Sequence, residues 1–99
     1  WRPNGNIGVW RGGKLGWLDP SNRSTYGIQL GVEYQWKLRV ETNPDGTSTY
    51  SMKTWSTTGP EPGWMRVVTE DASDLSAGSL MLLAHHMDVT FGDLSITPL

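Results

Sequence analysis

In 99 residues with a formal net charge of −2 there is material for one domain at most, and no basic face with which to grip nucleic acid. Apolar residues make up 36% and charged residues 18%, too apolar a mix for an acidic disordered tail, while the longest apolar run, Leu80 to Ala84, is far too short to cross a bilayer. A soluble chain without a membrane span is expected, and the absence of cysteine excludes disulfides and thiolate metal or redox sites.

The chain opens on Trp1 in place of Met, so a processed or excised piece is expected, with no leader left to name its destination. Trp1 to Asn6 carries Pro and Gly and reads as a lead-in. Ile7 to Arg11, Gly12-Gly13 and Lys14 to Leu18 then read as a tight hairpin, because a Gly-Gly pair takes the positive φ values of a two-residue turn. Asp19 to Ser24 is a loop of turn formers, and Tyr26, Ile28 and Leu30 share one face of a short strand.

The clearest element follows. In Tyr34 to Glu41 the residues Tyr34, Trp36, Leu38 and Val40 alternate with Gln35, Lys37, Arg39 and Glu41, the period of a strand with one buried and one wet face. Trp36, in phase with Leu38 and Val40, is expected in the core. Asn43-Pro44-Asp45-Gly46 supplies a fixed turn φ, a self-bonding Asp and a positive-φ Gly, so the chain reverses there into a second strand ending at Ser56. In that arm Trp55 has the phase opposite to Tyr50 and Met52.

Ser56 to Gly63 holds two Pro and reads as a loop before a strand from Trp64 to Thr69. Glu70 to Ala77 is a polar loop, and Ser79 to Ala84, apolar on both sides, reads as an interior strand. His85-His86 turns the chain into Met87 to Thr97, where Val89 and Phe91 alternate, Gly92 marks a bulge, and Leu94 and Ile96 resume. About eight short strands at regular spacing and no amphipathic helix predict an all-β fold, an antiparallel β-sandwich or jelly roll.

The succession Tyr-x-Trp-Lys-Leu-Arg-Val-Glu from Tyr34, the Glu61-Pro62-Gly63-Trp64 loop, Gly78 to His85 and the closing Asp88 to Ile96 resembles the C-terminal half of concanavalin-A-like jelly rolls. These include laminin-G-like domains and non-catalytic relatives of family 16 glycoside hydrolases. The resemblance covers roughly Gly27 to the end. Such sandwiches run to about 200 residues, so it implies either a minimal jelly roll or, preferred, the C-terminal half of a larger domain, incomplete in this chain, with edges completed by other polypeptide. It also implies that Trp55 packs against the Glu-Pro-x-Trp loop through Trp64. Relatives often bind calcium, and the resemblance would put it on Asp93 of the closing strand, but calcium needs six to eight oxygens and the other family ligands would come from the absent half, so Asp93 alone is a weak site and no cofactor is firmly implied.

Catalysis finds little support. Glu70, Asp71 and Asp74 lie in a polar loop with no strand alternation to aim two carboxyls across one bond, and the family's catalytic Glu-x-Asp-x-x-Glu strand is absent. The adjacent His85 and His86 near Asp88 would point to opposite faces of a strand and do not chelate one ion easily. There is no Gly-x-Ser-x-Gly elbow and no phosphate-binding glycine loop, and Asn22-Arg23-Ser24 is a glycosylation pattern of low specificity.

Six Trp among twelve Gly put large flat side chains on a turn-rich frame. Trp10, Arg11 and Trp17 on the Gly-Gly hairpin, with Tyr26, are the ligand-binding candidates, because an exposed ring beside polar groups suits the apolar face of a sugar or a protein hot spot. The expected function is an extracellular or secreted, non-catalytic carbohydrate-binding module, lectin-like, with a polysaccharide or glycan as partner. The alternative is a structural or assembly module whose sheet edges are completed by another chain through strand addition or self-association. A fragment of a glycan-active enzyme is the least favoured reading.

Overall fold

The structure is a computed structural model that describes residues 6–7, 24–71, 79–84 and 88–99. Its described elements are all β. Strands β1 (Asn6–Ile7) and β2 (Ser24–Thr25) form a short antiparallel pair. Strands β3 (Tyr34–Thr42), β4 (Ser48–Ser56) and β5 (Arg66–Glu70) form a three-stranded antiparallel sheet in the order β3-β4-β5.

The β3–β4 hairpin is in the register that the alternation of the two arms demands. Val40 faces Tyr50, Leu38 faces Met52, Trp36 faces Thr54, and on the other side of the sheet Lys37 faces Lys53 and Gln35 faces Trp55. The turn between the strands sets this register. Gly46 donates its N–H to the Asn43 carbonyl at 2.9 Å and lies at φ 84°, a left-handed value that glycine takes without a Cβ clash. Asn43 N–H closes onto the Thr47 carbonyl at 2.8 Å, and Asn43 Nδ2 donates to both Thr47 Oγ1 and Thr49 Oγ1 at 2.9 Å. Asp45 Oδ1 accepts from the backbone and hydroxyl of Thr47, which holds its carboxyl below the usual carboxylate range.

β4 is central, so it is the most buried strand. Met52, Thr54, Ser51 and Lys53 on it are buried, as is Arg66 on β5, which lies opposite Met52. Thr54 satisfies its buried hydroxyl by donating to the Gln35 carbonyl at 2.9 Å. Met52 is the one buried apolar side chain among the described residues.

Several expectations are corrected. Trp36 is not core: with Leu38 and Val40 it is exposed, at 45%, 57% and 57%, because β3 is an edge strand and nothing among the described residues covers this row. Tyr26 to Leu30 forms no strand; the chain instead turns at Leu30-Gly31, with Val32 N–H reaching the Gln29 carbonyl at 3.4 Å. The strand expected at Trp64 begins at Arg66. Leu80 to Ala84 is neither a strand nor interior, and residues 88–97 belong to no strand and pair with none of the described strands. Of the expected Gly-Gly hairpin, residues 8–18 lie outside the described residues, and Ile7 pairs with Ser24. The described sheet by itself is a single layer. No helix among the described residues is long and apolar enough to cross a membrane.

Candidate functional site

The two faces of the sheet differ in chemistry. One carries the even-numbered residues of β3 and β4, and the other the odd-numbered residues with the 57–65 loop folded onto them.

On the loop side the register places Lys37 directly opposite Lys53, a like-charge pair that destabilises a sheet when left alone. The loop supplies the remedy. After Ser56 it turns through Gly59, whose N–H bonds to the Ser56 carbonyl at 2.9 Å, and it rejoins the sheet where Met65 N–H reaches the Met52 carbonyl at 3.0 Å. Between these anchors Glu61 Oε1 meets Lys53 Nζ at 2.7 Å and Lys37 Nζ at 3.1 Å. Lys53 Nζ also donates to the Pro62 carbonyl at 3.0 Å, and lies 4.6 Å from the centre of the Trp64 ring and 5.9 Å from that of Trp55. An ammonium against an aromatic face is attracted by the ring quadrupole, more strongly once desolvated, and Lys53 is only 8% exposed. Trp55 and the Glu-Pro-x-Trp loop thus meet at this lysine.

The hydrogen bond from Lys53, then that from Lys37, holds the Glu61 carboxyl below the usual carboxylate range. A carboxyl so placed is ionised at neutral pH and is no proton donor there; the cluster acts as a clasp. A group with a depressed folded pKa contributes stability that is present above its unfolded pKa and lost as pH falls through the folded value. Thermal melts followed by tryptophan fluorescence should therefore lose midpoint temperature below about pH 4. Glu61→Gln should lower the midpoint at pH 7 and flatten the acid limb, leaving the share that Asp45 carries. An acid limb of unchanged depth in the variant would remove the clasp from the account.

The other face carries the aromatic side chains. Tyr34 and Trp36, two residues apart on β3, share it. Tyr26 packs its ring edge-on to Tyr34, with centroids 5.9 Å apart and an interplanar angle of 84°. The Tyr34 hydroxyl accepts the Gln29 N–H at 3.0 Å, which fixes the loop that brings Tyr26 there. Tyr26 and Tyr34 are half-buried and Trp36 is exposed, so three rings lie along one end of the sheet.

Of the residues singled out from the sequence, Tyr26 therefore joins an aromatic group, whereas Trp10, Arg11 and Trp17 lie outside the described residues. Asp93 is exposed, and among the described residues no group of three or more His, Asp or Glu side chains is placed to hold a metal ion. Glu70 ends β5 and Asp71 follows it, while Asp74, His85 and His86 are outside the described residues. Sequence reasoning passed over Trp36, whose phase with Leu38 and Val40 reads as core; the Tyr-x-Trp spacing was the signal that places both rings on one face. No protein-family model, curated protein or solved structure matches the chain.

Proposed function

We propose that the chain is an extracellular, non-catalytic carbohydrate-binding module, built as an antiparallel β-sandwich of the concanavalin-A-like kind, that holds a polysaccharide or glycan against aromatic rings. The observation that supports this reading is the row Tyr26, Tyr34 and Trp36, with the Trp36 ring exposed at the edge of the sheet. The C–H face of a pyranose stacks on such rings, and a neighbouring hydroxyl finds a partner in the exposed Gln29 side chain. Trp10, Arg11 and Trp17 belong to the same proposal as further contacts. Calcium at Asp93 is an accessory to it that the glycan row does not require.

Affinity electrophoresis and calorimetry against a panel of soluble polysaccharides test the reading. At least one should retard the chain, and Trp36→Ala should weaken that binding by about tenfold, roughly 1.4 kcal/mol. Val67→Ala, on the opposite face, should leave it unchanged. A chain indifferent to every polysaccharide would sink the proposal.

A second reading is favoured by β3 itself. It presents nine residues of edge strand, and no described strand pairs with its outer side. Such an edge is a template for strand addition, which is what an assembly module offers another chain. Light scattering separates the readings, since a monomer at all concentrations leaves no self-association to explain.

A further inference from the structure

β3 runs nine residues without Pro, Gly or a break in its register, so its outer edge is regular enough to carry another strand. The bonds at the two ends of its ladder are Asn43 N–H to the Thr47 carbonyl at 2.8 Å and Thr57 N–H to the Glu33 carbonyl at 3.1 Å, and both continue the register with β4. Antiparallel ladders alternate, so the odd-numbered residues of β3 direct their N–H and C=O at β4. Those of Trp36, Leu38, Val40 and Thr42 point away from it, and no described residue bonds to them.

A second copy of β3 offers the same outward groups, and two copies pair through them in a two-fold antiparallel arrangement. The charges choose among the registers. With Leu38 on the axis, Lys37 faces the partner's Arg39 on both sides of it, and with Lys37 on the axis that ammonium faces its own counterpart; both arrangements are repulsive. With Val40 on the axis, Arg39 faces the partner's Glu41, but only Leu38 to Thr42 overlap. With Arg39 on the axis the overlap runs from Trp36 to Thr42. Lys37 then faces the partner's Glu41 on one side of the sheet and Leu38 faces the partner's Val40 on the other, and pairs of both kinds stabilise a ladder. Lys37 is 55% exposed and has donors left beside its bond to Glu61. The one like-charge contact is Arg39 against the partner's Arg39, and each arginine is already bonded to Glu41 of its own strand. Charges on an edge ordinarily deter pairing; here their order deters the registers centred on Lys37 and Leu38 and permits this one.

We propose that β3 is a homodimer edge, on which two copies pair antiparallel about a two-fold axis at Arg39 and join their three-stranded sheets into one. The inference rests on the strand-addition reading and is independent of the glycan reading, since the Tyr26–Tyr34 group lies beyond the last facing pair, Trp36 with the partner's Thr42. The four facing pairs of outward-directed residues give about eight bonds between the copies. An overlap this short falls below the roughly 20–30 residues a side of a standard interface, so the dimer is a weak one that concentration controls.

Light scattering over a concentration series, with single-cysteine variants of the full chain, tests this. The chain has no cysteine, so any disulfide reports the introduced position alone. The scattering mass of the unsubstituted chain should rise from one chain towards two. After air oxidation Arg39→Cys should run as a disulfide-linked dimer, because facing residues of a pair without ladder bonds bring their Cα atoms to about 4.5 Å, within disulfide reach. Leu38→Cys and Val40→Cys should stay monomeric on the same gel, since each is displaced along the strand from its own counterpart. Val40→Pro removes an outward N–H that the ladder with β4 does not use, and it should hold the chain as a monomer while the thermal melt stays cooperative. Cross-linking of Leu38→Cys or Val40→Cys in place of Arg39→Cys would overturn the inference and leave strand addition standing, as would a dimer in which none of the three cross-links. A monomer at every concentration would overturn both, and a dimer that Val40→Pro does not dissociate would move the interface off β3. Polysaccharide retardation read on the same samples decides the glycan reading separately.

Discussion

Truncating Met52 to Ala is expected to lower the unfolding free energy by about 2–4 kcal/mol, a large share of what a chain this size has. Met52 is buried on the central strand, and it lies directly opposite Leu38 on one side and Arg66 on the other. Removing the thioether leaves a void on the face of the sheet between the Leu38 and Arg66 side chains, whose strands the ladder holds at a fixed spacing, so the site cannot close up. Val67→Ala on β5, where the side chain is exposed on the opposite face, should cost no more than about 0.5 kcal/mol. Urea unfolding of the two variants side by side makes the comparison. Equal midpoints would mean that the core is not on β4.

Lys53→Met comes next in size. The substitution keeps most of the apolar stem and deletes the charge, so it isolates the ammonium's contacts. These are the bond to the Pro62 carbonyl and the attraction to the Trp64 ring, together about 1–3 kcal/mol for a group this buried. The ion pair with the exposed Glu61 is left out of that sum because solvent screens it. Lys37→Met provides the contrast. Its side chain is 55% exposed, and its loss also relieves the repulsion across the ladder, so the midpoint should move by less than about 0.5 kcal/mol in either direction. In Lys53→Met the Trp64 and Trp55 emission should shift to longer wavelength before the sheet melts, as the loop lifts away. Identical unfolding of the two lysine variants would show that burial and ring contact give Lys53 no special role.

Both results bear on function through the frame they maintain. The 57–65 loop folds onto one face, and on the opposite face the Trp36 ring of the aromatic row is exposed. The acid sensitivity of the Glu61 clasp predicts that the loop side loosens first as pH falls, because Lys37 and Lys53 then confront each other without their shared counter-ion.

What the residues determined by themselves was local. The alternation from Tyr34 to Glu41, the phase of Trp55 against Met52, and Asn43-Pro44-Asp45-Gly46 together specify two strands, their faces and the turn between them, and the observed register follows from these alone. A period of two and a positive-φ glycine are properties of neighbours along the chain. The tertiary structure decided which of those faces is covered. Trp36, Leu38 and Val40 carry a core-like pattern, and they are exposed because β3 is an edge strand over which no described residue packs this row. Lys53, polar by composition, is buried because a loop from beyond β4 folds back to give it a carboxylate, a carbonyl and two rings. Burial depends on what arrives from elsewhere in the chain, and alternation records only that two sides differ.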